Sequence, residues 1–138
     1  MAELSSQIPL NFSTPKPLKV TFSSLDLSSD AGLLLVRQAE EQLKICEGLA
    51  DCLTDKREQD KVKHPLSQLI SQRVYQIAAG YEDANDSNYL RHDPIFKIAC
   101  NKVPIPGEEL LASQPTMSRL ENQISKTEIK GIRSFFLD

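Results

Sequence analysis

Apolar residues fall into short stretches with a helical repeat, separated by polar or proline-bearing breaks. Residues 1–18 hold three prolines and several serines without a periodic pattern, which predicts a flexible lead-in. Over 19–27, Val20, Phe22, Leu25 and Leu27 alternate with Lys19, Thr21 and Asp26. That alternation predicts one short strand near residues 20–25, although Ser23 and Ser24 interrupt it. Ser28, Ser29 and Asp30 supply oxygens that can cap a helix starting at about Ala31. Its apolar face is predicted at Leu35, Val36, Ala39 and Leu43. A second short helix is expected to carry Ile45, Leu49, Ala50 and Leu53, with Gly48 as a weak break.

Residues 54–64 are polar and mixed in charge, which predicts a loop. Pro65 suits the first turn of a helix, where its missing N–H costs nothing. Leu66, Leu69, Ile70, Val74, Ile77, Ala78 and Tyr81 then form a stripe with the 3.6-residue period, ended by Gly80. Ala84, Tyr89 and Leu90 are packing points in the polar stretch 82–91. Asp93-Pro94 opens another short helix, and residues 102–107 read as a loop. Ser113-Gln114-Pro115 opens a helix with Met117, Leu120 and Ile124. The last segment, 126–137, places Ile129, Ile132 and Phe136 on one face. The expected fold is mainly α: a small multi-helix domain with a helix-turn-helix-like segment around Gln114 and one short N-terminal strand. The expected division is a lead-in over 1–18, a domain over 19–125 and a C-terminal helix over 126–138.

Composition narrows the class. With 138 residues, 40% hydrophobic and 25% charged, the chain can bury a core without metal or disulfides, as a soluble globular domain does. No apolar run reaches membrane-spanning length, and the start lacks the features of a secretory signal. Three cysteines without framework spacing suggest reduced thiols and a cytoplasmic location, with no membrane partner. The net charge of −3 argues against a nucleic-acid binder, but the charge is uneven. Residues 26–55 carry a net −5, whereas residues 56–75 carry a net +3. Screening confines each patch to its own neighbourhood, so a local basic surface is compatible with the acidic total.

A catalytic constellation is not visible. His64 and His92 lack a second ligand at helical spacing, and Cys46 and Cys52 do not have zinc-ligand spacing. Glu82, Asp83, Asp86 and Asp93 could in principle hold Mg²⁺, yet Asp93-Pro94 reads as a helix cap and the others as solvated acids. Neither a phosphate-cradling glycine loop nor a serine nucleophile elbow is present, so no cofactor is expected. The helix opening at Gln114 is the first candidate for DNA contact, through Gln114, Thr116, Ser118 and Arg119. A recognition helix carries such side chains in its first turns, where Gln can bond adenine and Arg guanine. Lys56, Arg57, Lys61 and Lys63 in the loop, with Arg73 and Arg91, are candidate phosphate contacts. Tyr75 and Tyr81 are expected in the core.

Three segments in order carry a resemblance: Gln72-Arg73-Val74-Tyr75 through Ala84-Asn85-Asp86, then Leu90-Arg91-His92-Asp93-Pro94, then Leu111-Ala112-Ser113-Gln114-Pro115 through Glu121-Asn122. The stretch from Ser28 to Leu35 fits as well. Over about residues 19–125 the chain resembles the DDE-type transposases of bacterial insertion sequences, group 1. The resemblance implies a longer protein whose ribonuclease-H-like domain holds Mg²⁺ with two Asp and one Glu. Nothing here matches the strand bearing the first of these, and Asp138 ends a Phe-Phe-Leu-Asp stretch of another character. The expectation is therefore an N-terminal fragment truncated before the catalytic domain, not an enzyme by itself, with Mg²⁺ belonging only to the missing domain. On this reading Asp83, Asp86 and Asp93 are structural. The implied role is recognition of double-stranded DNA at the transposon inverted repeat. The alternatives are a protein-interaction module that pairs with full-length transposase, or with itself, and inhibits transposition, or a gene remnant without function.

Overall fold

A computed structural model describes residues 8–10, 18–20, 29–105 and 108–137. The fold is mainly α. Seven α-helices are described: α1 (Leu33–Leu43), α2 (Ile45–Asp51), α3 (Leu66–Ala78), α4 (Ser87–Leu90), α5 (Pro94–Ala99), α6 (Gln114–Gln123) and α7 (Lys126–Leu137). Before them, β1 (Ile8–Leu10) and β2 (Leu18–Val20) pair antiparallel, with Ile8 opposite Val20 and Leu10 opposite Leu18. Only one strand was expected, because a three-residue strand containing Pro9 is too short to show alternation. The remainder of the strand expected near 20–25 lies outside the described residues.

Local chemistry sets the helix ends. α3 closes through Gly80, whose φ of 92° is the left-handed conformation glycine adopts without strain. The Tyr81 N–H reaches back to Gln76 O at 2.8 Å and the Gly80 N–H to Ile77 O at 3.0 Å, a paired closure of the last turn. α5 ends in the same way with Asn101 at φ 60°. Asp93 caps α5 by accepting from the Ile95 and Phe96 N–H groups, as its place before Pro94 predicts. Ser125 and Glu128 form a capping box on α7: the Ser125 N–H donates to Glu128 at 2.7 Å and the Glu128 N–H to Ser125 Oγ at 3.2 Å. The break between α1 and α2 falls at Lys44, left-handed at φ 52°, and not at Gly48. Gly48 has another task. The Phe135 ring of α7 lies so close that an added Cβ would come within 2.3 Å of it.

α3 is the helix against which α1, α2, α5 and α6 pack. On one side Tyr75 joins Leu33, Leu90, Phe96, Ala99, Cys100 and Leu111 in the main core. On the other, Leu69 meets Ala112 and Met117. Its buried face differs from the predicted stripe: Gln72 and Gln76 are fully buried, whereas Ile77 is exposed. The glutamines are buried because each is paired. Gln72 accepts from the Ala112 N–H and donates to the Ala112 carbonyl, both at 2.9 Å, and Gln76 pairs with Ser87. An amide that satisfies both groups of a crossing backbone costs little to bury. Lys97 is buried too, with Nζ donating to Ile105 O at 2.8 Å and Glu108 O at 2.7 Å.

Two predicted apolar faces are outward. On α1 the buried residues are Leu33 and Leu34, while Leu35 and Leu43 are more than 60% exposed. On α7, Ile129 and Phe136 are exposed, and Phe135 makes the inward contact. Tyr89, expected to pack, is 77% exposed. Tyr81 packs edge-on against Phe96 and donates to Asp30 at 3.0 Å. The helix-turn-helix-like segment is not of the tight-turn kind at its entry. Residues 100–113 separate α5 from α6, where that motif needs a turn of roughly three or four residues.

Candidate nucleic-acid interface

Leu69 of α3 packs with the buried Met117 of α6 and holds these two helices together, and residues of the 53–64 loop stand opposite them. The result is a cleft of about 700 Å³ between the loop, the start of α3, Arg91 and one face of α6. α6 presents Thr116, Arg119, Leu120 and Gln123 to the cleft, the i, i+3, i+4, i+7 row of one helical face.

The loop is ordered by one arginine. Arg57 grips Asp55 through two bonds of 2.7 and 2.6 Å and also donates to His64 O at 3.0 Å. The guanidinium holds the Asp55 carboxyl down at about 2. Glu128 ties the loop to α7 by accepting from the Thr54 N–H at 2.9 Å. Bonds from Ser125, then from Thr54, lower the Glu128 carboxyl to about 2.

The sequence-predicted residues divide into three groups. Arg57, Lys61, Lys63, Arg91, Thr116 and Arg119 line the cleft together. Of these, Arg57 is engaged by Asp55, and Lys61 pairs with the exposed Glu58. Lys63 and Arg119 have no hydrogen-bond or ion-pair partner among the described residues. Gln114, Ser118 and Lys56 do not line the cleft: Gln114 donates to Ser118 at 2.9 Å on another face of α6, and its N–H donates to Asn88. Arg73 is committed to structure. It pairs with Glu121 at 2.6 Å and donates to the Tyr81 and Glu82 carbonyls, which fixes α3 against α6 and the chain that follows α3.

Arg91 differs from Arg73 in this respect. It follows α4, its carbonyl accepts from Leu111, and its side chain lies in the cleft wall. Its Nε is buried without an acceptor among the described residues. Such an orphaned donor costs on the order of 1–3 kcal/mol. Arg37 Nε is also without an acceptor, but the end of that guanidinium bonds Asn101 at 3.0 Å and Glu41 at 3.2 Å.

His64, which pattern reading set aside as solitary, stands in the same wall. Burial holds its imidazole below the ordinary histidine value. A bond with Gln68 opposes this, and Lys102, Arg91 and Arg57 add to the depression. No periodicity connects His64 with Arg91, so only the fold brings them together. The thiols play no part here: burial, reinforced by Glu40, pushes Cys46 up to about 12, and burial does the same to Cys100.

Among the described residues no three His, Cys, Asp or Glu side chains converge as a metal-ligand set. The described residues thus do not fit the carboxylate trio that the resemblance implies for Mg²⁺, and no metal-dependent step is assigned to them. Asp138 lies outside the described residues. No described helix is long and apolar enough to cross a membrane.

A family model described as transposase DDE domain group 1 matches residues 11–138. Comparison with curated proteins and with solved structures gave no match. The family match spans all seven described helices and the whole cleft wall, so the chain belongs to the transposase DDE domain group 1 family.

Proposed function

We propose that this chain binds duplex DNA at transposon ends, using the cleft between the 53–64 loop and α6 as its phosphate-contacting surface. A role related to transposition follows from the family. The observation that carries the DNA reading is the convergence of Lys63, Arg91 and Arg119 on one cleft without carboxylate partners among the described residues. Unneutralised cations on a concave surface attract a polyanion even when the molecule as a whole is acidic. The Thr116–Arg119–Gln123 row of α6 is the part best placed for base edges.

The test is binding of a fluorescent duplex carrying the flanking inverted repeat, against a scrambled duplex, at two salt concentrations. Preference for the repeat, weakened by Arg119→Ala, is expected. Equal or absent binding by a folded protein would remove the reading.

A second reading rests on the outward apolar residues of α1 and α7, Leu35, Leu43, Phe136 and Leu137, each at least 60% exposed. Such patches mark protein contacts. On this reading the chain pairs with full-length transposase or with itself. Light scattering of the chain alone and mixed with full-length transposase tests it, and a strict monomer that ignores the longer protein counts against it.

A further inference from the structure

We propose that the cleft contains a subsite for a single phosphodiester group, centred on the Arg91 guanidinium with His64 as a second, protonatable donor. This rests on the DNA reading above for the source of the phosphate, but the subsite itself is argued from geometry. Arg91 and His64 line the same cleft. Arg91 brings a buried Nε with no acceptor among the described residues. No other group of that guanidinium has a hydrogen-bond or ion-pair partner among the described residues either, and an oxyanion in the cleft can take two N–H groups at its Nη end at once.

The tautomer of His64 fixes what binding must do. Gln68 Nε2 donates to Cys100 O at 3.4 Å, which orients its amide so that Oε1 faces His64 Nδ1 at 3.1 Å. In the neutral ring Nδ1 therefore carries the hydrogen, and Nε2 is the nitrogen that titrates. To donate to an oxyanion from Nε2, His64 must take up a proton. The groups around it are Arg57, Lys61, Lys63, Asp55 and Glu58 on its own loop, Gln68 on α3, Arg91 after α4, Lys102 after α5, Arg119 on α6 and Glu128 on α7. Arg57, Arg91 and Lys102 oppose protonation, and burial opposes it more. An anion on Arg91 cancels part of that field, so oxyanion binding and His64 protonation reinforce each other reciprocally.

The experiment follows the imidazole of the full-length chain by NMR. The chain has two histidines, so His92→Gln leaves His64 as a single signal. Sulfate is the probe, because it stays fully ionised over the titration, with sodium chloride at matched ionic strength as the control for screening. Saturating sulfate should raise the His64 midpoint by about 0.5–1 pH unit over the chloride control. Arg91→Gln should abolish that response. In parallel, duplex affinity should rise about two- to fivefold from pH 8 to pH 6, the signature of one linked proton whose midpoint moves by that amount, and His64→Asn should flatten this dependence. A His64 midpoint that sulfate does not move, or one that moves equally in Arg91→Gln, would overturn the subsite even if duplex binds. A sulfate response with no duplex binding would support the subsite and defeat the DNA reading instead.

Discussion

The interior around α3 and the wall of the cleft both contain long polar side chains, but they are treated in opposite ways. Gln72, Gln76, Ser87 and Lys97 are fully buried, and every one of them has its partner inside the fold. Lys63, Arg91 and Arg119 are held in a concave wall without one among the described residues. Polar groups of the first kind specify which segments pack against α3. Those of the second kind are tied to no other segment among the described residues, which leaves their N–H groups open to an anion. Arg73 and Arg91 show the contrast within one residue type: the first bonds a carboxylate and two carbonyls, the second leaves its Nε unpaired among the described residues.

The contrast makes graded predictions. Lys97→Ala strands the Ile105 and Glu108 carbonyls and opens a void, and should cost about 3 kcal/mol in chemical denaturation. Gln72→Ala unpairs both backbone groups of Ala112 and should cost about 2 kcal/mol. A loss under about 0.5 kcal/mol for either would show that the interior polar set is not structural. Gly48→Ala drives a methyl into the Phe135 ring and should destabilise by about 1–2 kcal/mol, read as loosened α7 in hydrogen exchange. Arg119→Ala should leave stability within about 0.5 kcal/mol while weakening duplex binding severalfold. The reverse pattern would place Arg119 with the structural group.

Smallest, and read from pH, are the titrating groups. Glu128 and Asp55 are lowered in the fold, so each contributes stability above its ordinary value that is lost as pH falls toward about 2. Glu128→Gln should remove part of the acid-side slope in a denaturation series. His64 is also lowered, but as a base: without an anion, the unfolded chain binds its proton more readily, so stability declines as pH falls below the ordinary 6.5. His64→Asn should flatten the profile in that window.

Much of the fold was legible in the sequence because helix starts and stops are local chemistry. Asp93-Pro94, Pro65 and Gly80 each mark a boundary that the structure keeps. Which face of a helix turns inward is a tertiary matter, and there the pattern misled. The apolar set Leu35, Val36 and Leu43 on α1 faces out, and Gln72 and Gln76 face in, because paired amides are buried at little cost. The candidate interface was half legible. Basic residues of the loop and of α6 were identified separately, and the fold joins Lys63 to Arg119 in one cleft. That Arg73 is engaged within the fold could not be read beforehand, since its Glu121 partner lies far along the chain. The placing of His64 and Arg91 in one cleft had no sequence signal, because the two residues do not share an element.

The most direct test is the salt dependence of duplex binding for the wild-type chain and the Lys63→Gln/Arg91→Gln/Arg119→Gln variant, each confirmed folded. Loss of three phosphate contacts should reduce the slope of log affinity against log salt by roughly two to three. An unchanged slope would mean that these three cations do not meet DNA and that the cleft is not its binding surface.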